Sequence, residues 1–273
     1  MITNWIVTGD THGSIGRFKR YNKEFQKDEY SAVIILGDAA FNWTLTESDA
    51  CLKDFIHKNY KFRIYCVRGN HEARPQDVPG MELVYDEDVN GEVYIQKEWP
   101  NIRYFKDWGI YTIGGLRAAV VGGAYSVDKW YRLEHGSIWF ENEQLSGEEK
   151  TACLNEFKGE KVDIVFTHTC PLSWEPSDLF LCGINQFRVD KSMEIFLDEL
   201  ARNFSWKVWC FGHYHADRLE RPGVEQYFTN TESLKNIWDR WQEYRKTDGK
   251  FIPWWLTKSP LFYTNDELVE RNR

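Results

Sequence analysis

Residues that can bind metal ions or transfer protons recur at the points where predicted β-strands end. Gly69-Asn70-His71-Glu72 follows an apolar and β-branched run at residues 62–67, which predicts a buried strand. Asn70 offers a neutral oxygen to a metal, and His71 beside it is suited to general acid catalysis. A Gly-Asn turn is common by itself, so the significance of this motif depends on the other strand ends.

Four further predicted strands end in residues of the same kinds. Asp10 and His12 lie two positions apart, so an extended backbone would point both side chains to the same side. Imidazole nitrogens and carboxylate oxygens are ligands of divalent transition metals. Two such ions close together can clamp the attacking and leaving oxygens of a phosphoryl displacement. The candidate ligands are Asp10, His12, Asp38, Asn70, His168, His213 and His215.

The elements between these motifs predict an open α/β sheet, which binds ligands outside the carboxyl ends of its strands. Strands are predicted at residues 4–8, 32–36, 62–67, 162–166 and 206–211, with helices at 14–25, 47–58, 146–157 and 191–202. Gly114-Gly115 separates two further strand patterns and predicts a hairpin in a second sheet.

The end of the chain differs in character, and we predict two units, a domain over residues 1–231 and a helical, aromatic extension over 232–273. Thr231 or Ser233 can cap a helix in which Leu234, Ile237, Trp238 and Trp241 recur at helical spacing. Packing on the domain is the favoured reading of these tryptophans, and a dimer contact or a substrate wall is the alternative.

Composition limits the classes of function. A chain of 273 residues suits one large domain or a domain with an appendage. Its net charge of −8 argues against broad binding to nucleic acid, although bound cations could still attract an anionic substrate. The six cysteines form no CxxC pair, and we see no signal peptide and no membrane span. These features predict a cytoplasmic protein with no membrane partner.

The complete set of motifs resembles the calcineurin-like metallophosphoesterases. Their signature of Asp-x-His, Gly-Asp, Gly-Asn-His-Glu, a lone His and Gly-His-x-His occurs here in order over roughly residues 5–230. The resemblance implies an α/β/β/α sandwich of two mixed sheets with flanking helices. It also implies two divalent metal ions (manganese, iron, nickel or zinc, with manganese favoured) and attack on phosphorus by a metal-bound hydroxide.

The resemblance assigns roles to the matching positions. His71 would protonate the leaving oxygen, and Glu72 would support the site without binding metal. Asp38 would bridge the two ions. One ion would be held by Asp10, His12, Asp38 and His215, and the other by Asp38, Asn70, His168 and His213.

One departure from the family pattern concerns the substrate. In eukaryotic-type protein phosphatases, Gly-Asp continues as Tyr-Val-Asp-Arg-Gly, whereas Gly37-Asp38 is followed here by Ala-Ala-Phe-Asn-Trp. This difference disfavours a protein serine/threonine phosphatase. The stretch 122–132 reads equally as a phosphate-binding loop or a solvated loop, and it is similar to compact bacterial and phage members of the family. Candidates for substrate binding are Arg74, Arg117, Lys129 and Arg132.

We therefore predict a phosphoesterase that acts on a phosphomonoester or a small phosphodiester, and we expect its small phosphorylated substrate to be nucleotide-like. A metal-dependent nuclease is the alternative, but no run of Lys and Arg could follow a nucleic-acid backbone. A non-catalytic scaffold is a third reading, which the complete ligand set disfavours. The oligomeric state is left open.

Overall fold

Two β-sheets lie face to face, and the structure, a computed structural model, describes residues 1–25 and 28–246. The first sheet has seven strands, in spatial order β13 (Thr231–Ser233), β1 (Asn4–Thr8), β2 (Ser31–Leu36), β3 (Arg63–Val67), β6 (Ile102–Phe105), β5 (Gly91–Gln96) and β4 (Met81–Asp86). The second sheet has six strands, in the order β11 (Arg218–Arg221), β12 (Val224–Gln226), β10 (Val208–Phe211), β9 (Ile164–Thr167), β8 (Leu116–Val121) and β7 (Trp108–Ile113).

Six α-helices accompany the sheets in the described part of the chain. They are α1 (Ile15–Glu24), α2 (Glu47–Asn59), α3 (Lys129–Glu134), α4 (Gly147–Phe157), α5 (Ser192–Asn203) and α6 (Leu234–Lys246). Helix α4 begins with the predicted capping box, in which Ser146 and Glu149 each accept a backbone N–H from the other's position. The stretch from 122 to 132 is not all loop, because its last residues form the first turn of α3.

The central strands are buried on both faces, which explains their nearly continuous apolar sequences. In β2, Ile34 packs in the core between the sheets, whereas its neighbour Ile35 packs in the core with residues of α1 and α2. In β10, Cys210 faces the core between the sheets, and Trp209 packs with residues of α4 and α5. This alternation produces the predicted α/β/β/α sandwich of two mixed sheets, and the fold prediction is confirmed.

Parallel pairing brings the carboxyl ends of the central strands to one side. Strands β1, β2, β3 and β6 run parallel in the first sheet. Strands β8, β9, β10 and β12 run parallel in the second. Every residue that directly follows β1, β2, β3, β9 or β10 is therefore available to a single site at this end of the sandwich.

The predicted helix after residue 231 is present as α6. Leu234 and Ile237 are buried in the core between the sheets, and Trp238 and Trp241 pack against it. The predicted boundary between residues 231 and 232 falls inside β13, which pairs with β1. The division into two units stays a prediction, and its part from residue 247 onward lies outside the described residues. No helix of the described chain has the length and apolar character that crossing a bilayer requires.

Candidate metal centre

All seven candidate ligands meet where the strands of the two sheets end. The first sheet supplies Asp10, His12, Asp38 and Asn70, and the second supplies His168, His213 and His215. Two groups of side chains have ligand atoms that all lie within 4.8 Å of one another: Asp10 with His12 and His215, and Asp10 with Asp38 and His168. Asp10 belongs to both groups. The resemblance gives the shared position to Asp38, and that assignment stays a prediction.

The first group has the donor set of a transition-metal site. The Nε2 atoms of His12 and His215 lie 3.1 Å apart, and His215 Nε2 lies 3.3 Å from Asp10 Oδ2. Asp10 is only 1% exposed, and its Oδ2 atom has no hydrogen-bond partner within the described structure. A buried carboxylate oxygen normally has such a partner. Two imidazoles and an unsatisfied carboxylate oxygen therefore fit a divalent cation.

In the second group, hydrogen bonds fix which atoms face inward. His168 Nδ1 lies 2.7 Å from the carbonyl oxygen of Leu36, which can only accept, so Nδ1 carries the proton in the neutral imidazole. The lone pair on His168 Nε2 then faces Asn70 Oδ1 at 2.8 Å and Asp38 Oδ2 at 3.6 Å. The ring of His213 lies beside that of His168, with centroids 4.9 Å apart. Acceptors that face one another at such distances repel, and a cation between them would relieve the repulsion.

Ser126 and Glu143 orient Asn70, and neither residue was among the predicted site residues. Asn70 Nδ2 donates to Ser126 Oγ at 2.9 Å, and that hydroxyl donates to Glu143 Oε2 at 2.6 Å. Glu143 also accepts the backbone N–H of Ser126 and is buried. This series of hydrogen bonds orients the Asn70 side chain so that its amide oxygen points toward His168. Ser126 lies within the stretch 122–132, a candidate phosphate-binding loop, whereas no sequence pattern points to Glu143.

The backbone is strained at four of the candidate ligands. His12, Asp38, His213 and His215 all have positive φ angles, of 46°, 48°, 70° and 52°. Non-glycine residues in this left-handed region cost on the order of 1–3 kcal/mol each. Such conformations persist only where the surrounding structure enforces them, and they concentrate at functional sites. The strain therefore supports a functional reading of these strand ends.

Two glycines of the motifs leave room for ligand side chains from neighbouring strands. A Cβ atom at Gly69 would lie 1.9 Å from Asp38 Oδ1, and one at Gly212 would lie 2.3 Å from Asp10 Oδ1. Both separations are far below a van der Waals contact. The carboxylates of Asp38 and Asp10 occupy the space that a side chain would need at Gly69 and Gly212, so both positions require glycine.

The electrostatic environment favours the metal-binding forms of His213 and Asp10, whereas the contact with Asp10 raises the pKa of His215 and favours its protonated form. Burial lowers the pKa of His213 to about 3, so its ring is neutral near pH 7. Burial acts to raise the pKa of Asp10, but His168 and His215 outweigh it and the net shift is downward. Neutral imidazoles and an ionised carboxylate are the forms that bind metal.

Glu72 joins the loops that follow β2 and β3 and does not face the ligand groups. Its Oε1 accepts the backbone N–H of Ala40 at 2.9 Å and the hydroxyl of Tyr104 at 2.7 Å, and Oε2 accepts the N–H of Gly69 at 3.4 Å. Burial, aided by the charge of Asp38, raises the pKa of Glu72 to about 7. The carboxyl group therefore holds the loops that carry Asp38 and Asn70.

His71, the candidate acid, lies at the edge of this cluster. Its Nε2 atom is 3.7 Å from Asp38 Oδ2 and 3.3 Å from Arg132 Nη2. Its ring packs against Trp43, with centroids 5.1 Å apart. The backbone N–H of His71 donates to Asp38 Oδ1 at 3.0 Å. The ring is thus held beside the ligands with its Nε2 atom toward the space that they surround.

The four cationic residues predicted to bind substrate lie in different places. Arg132 is 7% exposed; its Nε pairs with Asp128 at 2.8 Å, its Nη1 donates to the carbonyl of Ile138, and its Nη2 faces His71. Lys129, one turn earlier on α3, has its ammonium 4.0 Å from the ring centroid of Trp139. Arg132 is therefore next to the candidate acid, and Lys129 is held against an aromatic ring.

The structure corrects the expectation for Arg74 and Arg117. All three guanidinium nitrogens of Arg74 are engaged within the fold, since Nε donates to the carbonyl of Asn142 at 2.9 Å and both Nη atoms contact Glu149. Arg117 lies at the amino end of β8 and pairs with Glu160 at 2.5 Å. The site is at the carboxyl end of the strands, so Arg117 is at the wrong end of the sheet.

Comparison with known proteins identifies one family. The family model of the calcineurin-like phosphoesterases matches residues 4–217. No curated protein sequence matches the chain.

Similar solved structures include a phosphopantetheinyl hydrolase from Mycobacterium tuberculosis, at 14% identity and a TM-score of 0.42, with 96% of this chain and 98% of that chain covered. An archaeal phosphodiesterase is 13% identical with a TM-score of 0.29, covering 50% and 68% of the two chains. A 5′-nucleotidase precursor from Thermus thermophilus is 14% identical with a TM-score of 0.35, covering 81% and 43%.

Substituting Asp38 and Asp10 separately tests which of the two carboxylates bridges the proposed metal ions. We expect Asp38→Asn to lose both metal ions and Asp10→Asn to lose one, as measured by elemental analysis of protein purified with manganese. Asp163→Asn, which removes a carboxylate paired with Lys207 before β9, is the control and should keep both ions. Full metal content in Asp38→Asn would rule out its bridging role, and loss of both ions only in Asp10→Asn would move the bridge to Asp10.

Gly212→Ala should lower metal content, because the new Cβ must displace the carboxylate of Asp10. Gly147→Ala is the matched control, since nothing lies within 4 Å of a Cβ at that position. Elemental analysis together with the Tm of the metal-free protein separates a local effect from unfolding. Normal metal content in Gly212→Ala would contradict the close approach on which this expectation depends.

Proposed function

Because the chain belongs to the calcineurin-like phosphoesterase family, we propose that it hydrolyses a phosphomonoester or a small phosphodiester with two divalent cations bound at the strand ends. The family consists of metal-dependent phosphoester hydrolases, and the chain is one of them. The observation that supports binding of two cations is a set of hydrogen-bond acceptors that lie close together, with no donor from the described residues between them. His168 Nε2 and Asn70 Oδ1 face each other at 2.8 Å, and Asp10 Oδ2 has no partner among the described residues.

Each cation would have four protein ligands. When bound, the cations would neutralise phosphate charge and lower the pKa of an attacking water molecule. Sites of imidazole and carboxylate accept manganese, iron, nickel or zinc, and we favour manganese. Asp10, His12, Asp38 and His215 would form one site, and Asp38, Asn70, His168 and His213 would form the other.

His71 would protonate the leaving oxygen through Nε2. This assignment is supported by the position of that atom beside the candidate ligands, 3.7 Å from Asp38 Oδ2. The contact of its ring with Trp43 and the bond from its backbone N–H to Asp38 restrict its position. A proton donor held in this way meets the geometric requirement for general acid catalysis.

Arg132 would bind a non-bridging oxygen of the phosphate through Nη2. Its Nε and Nη1 atoms are held by Asp128 and by the carbonyl of Ile138, which aims the remaining nitrogen at His71. A guanidinium fixed in this way binds phosphate with little loss of side-chain entropy. The net charge of −8 and the engagement of Arg74 and Arg117 elsewhere support a small substrate over a nucleic acid.

Hydrolysis of a substrate panel tests the proposed activity directly. The panel contains p-nitrophenyl phosphate, bis-p-nitrophenyl phosphate, cyclic nucleotides and a phosphopeptide, each assayed with and without added manganese. We expect metal-dependent turnover of at least one of the small esters and none of the phosphopeptide. Absence of turnover on every member by the metal-loaded protein would reject the proposal.

His71→Ala should keep both cations and lower kcat by roughly 10²–10⁴-fold, the usual contribution of a positioned acid. The loss should be smaller for p-nitrophenyl esters than for alkyl esters, because p-nitrophenolate needs little protonation as it leaves. His57→Ala, near the end of α2, is the control and should behave as the parent. Equal losses on both kinds of ester would argue against the acid role.

Arg132→Ala should lower kcat/KM by roughly 10–100-fold, the effect of losing a hydrogen bond worth about 1.5–3 kcal/mol between charged groups. Metal content should stay normal, and Arg132→Lys should recover part of the loss. Lys129→Ala should have a smaller effect than Arg132→Ala, because the Lys129 ammonium packs on Trp139. If both alanine variants match the parent on every active substrate, this segment is only structural.

A further inference from the structure

A pocket of about 260 Å³ opens beside the candidate metal centre and extends under the segment from residue 175 to 191. Asp38, Asn70, His71 and His213 line one part of it. A phosphate bound at the strand ends would therefore direct one of its substituents into this pocket. The metal-binding motifs do not include the segment that forms the far wall.

The far wall is apolar and partly aromatic. Leu179, Phe180, Leu181, Ile184 and Val189 contribute to it. Phe180 stacks on Tyr214 with ring centroids 6.4 Å apart and an interplanar angle of 27°. Side chains of this kind favour a flat, apolar group.

Two hydrogen-bond acceptors in the lining lack partners within the described structure. Glu194 lies in the first turn of α5 and is 3% exposed. Its Oε1 accepts the hydroxyl of Thr169 at 2.8 Å, but its buried Oε2 has no partner, and neither has Oε1 of Gln186. Burial raises the pKa of Glu194 to about 7, so a donor brought to this carboxylate would reduce the cost of its charge. Both unsatisfied atoms call for a ligand that donates.

The charges of the lining disfavour a second anionic group. Lys191 is the only lysine or arginine among the described residues that line the pocket. Its ammonium pairs with Glu175 at 2.6 Å and lies 4.5 Å from the ring centroid of Phe180. Glu194 adds a further carboxyl group to the lining, whereas Asp128 is paired with Arg132. A carboxylate or a second phosphate on the substrate would need a cationic partner, but Lys191 is already paired with Glu175.

We infer that this pocket binds the alcohol part of the substrate, and that this part is neutral or positively charged, has a flat apolar body and carries an N–H or O–H donor for Glu194. The inference rests on the proposed phosphoesterase activity and specifies its substrate class. Glu194 would determine specificity without contacting the reacting phosphate.

Three aryl phosphates of similar leaving-group acidity provide the test. They are the phenolic phosphate of tyramine, which carries an ammonium donor, p-propylphenyl phosphate, which has a methyl group in its place, and p-(carboxymethyl)phenyl phosphate, which carries an anion. We expect kcat/KM for the tyramine ester to exceed that for the propyl ester by roughly 10–100-fold, the effect of one hydrogen bond to a charged group. The carboxymethyl ester should be the poorest substrate.

Variants at position 194 test whether Glu194 causes the preference for the tyramine ester over the propyl ester. Glu194→Leu removes the acceptor and should bring the ratio of the two kcat/KM values toward one, whereas Glu194→Gln, which keeps a carbonyl oxygen, should retain part of it. Glu199→Leu, at an exposed position of the same helix, is the matched control and should keep the parent ratio. Because the parent ratio is measured independently, the test does not depend on the folding of any variant.

The outcomes separate this inference from the proposed function. A parent that hydrolyses all three esters with equal kcat/KM would overturn the inference alone, as would a full parent ratio in Glu194→Leu. Turnover of bis-p-nitrophenyl phosphate or a cyclic nucleotide, with none of the three aryl esters hydrolysed, would also overturn the inference alone. Failure of the manganese-loaded parent to hydrolyse the three esters and every member of the substrate panel would overturn the proposed function, and this inference with it.

Discussion

Hydrogen bonds that cross between the two sheets determine the geometry of the candidate metal centre. Asp10, from the first sheet, accepts the backbone N–H of His213, from the second, at 3.0 Å. In the other direction, His168 donates from Nδ1 to the carbonyl of Leu36 at 2.7 Å. Each bond joins a candidate ligand of one sheet to the backbone of the other. Because buried bonds of this kind are costly to break, they set the separation of the sheets at this edge and so the separation of the ligands.

The same arrangement couples the candidate acid to the ligands. Asp38 accepts the backbone N–H of His71 through Oδ1, while its Oδ2 lies 3.6 Å from His168 Nε2. A movement of Asp38 would therefore shift His71 and the second ligand group together. Glu72 limits such movement, because it binds the backbone after β2 and after β3 at the same time. The loops at the ends of these two strands thus behave as one unit.

Much of the fold and the gathering of the candidate ligands could be predicted because both depend on local patterns. Nearly continuous apolar runs mark β2 and β3 as strands buried on both faces, and polar residues directly after a parallel strand must lie at its carboxyl end. The role of an arginine, in contrast, depends on contacts with residues that are distant in the sequence. Arg74, Arg117 and Arg132 are alike in sequence terms, yet one holds the fold through Glu149, one lies at the opposite end of the sheet, and one faces His71. Their partners lie in distant segments whose packing no periodicity reveals.

Residues that orient the ligands were missed for the same reason. Glu143 reaches Asn70 through Ser126, and its position depends on how the segment after α3 packs against the loop before it. The pocket next to Glu194 likewise arises where a long irregular segment folds back over the strand ends. Such segments carry few local signals, since their conformation is set by tertiary contacts.

The positive φ angles of His12, Asp38, His213 and His215 imply a stability–activity trade-off at this edge. Glycine adopts that backbone conformation without steric penalty, so replacing any of these residues with glycine would relieve strain while deleting a candidate metal ligand. Selection of this protein for thermal stability alone would therefore tend to remove the candidate metal centre before it altered the apolar core. Directed evolution for stability would need a simultaneous screen for metal binding.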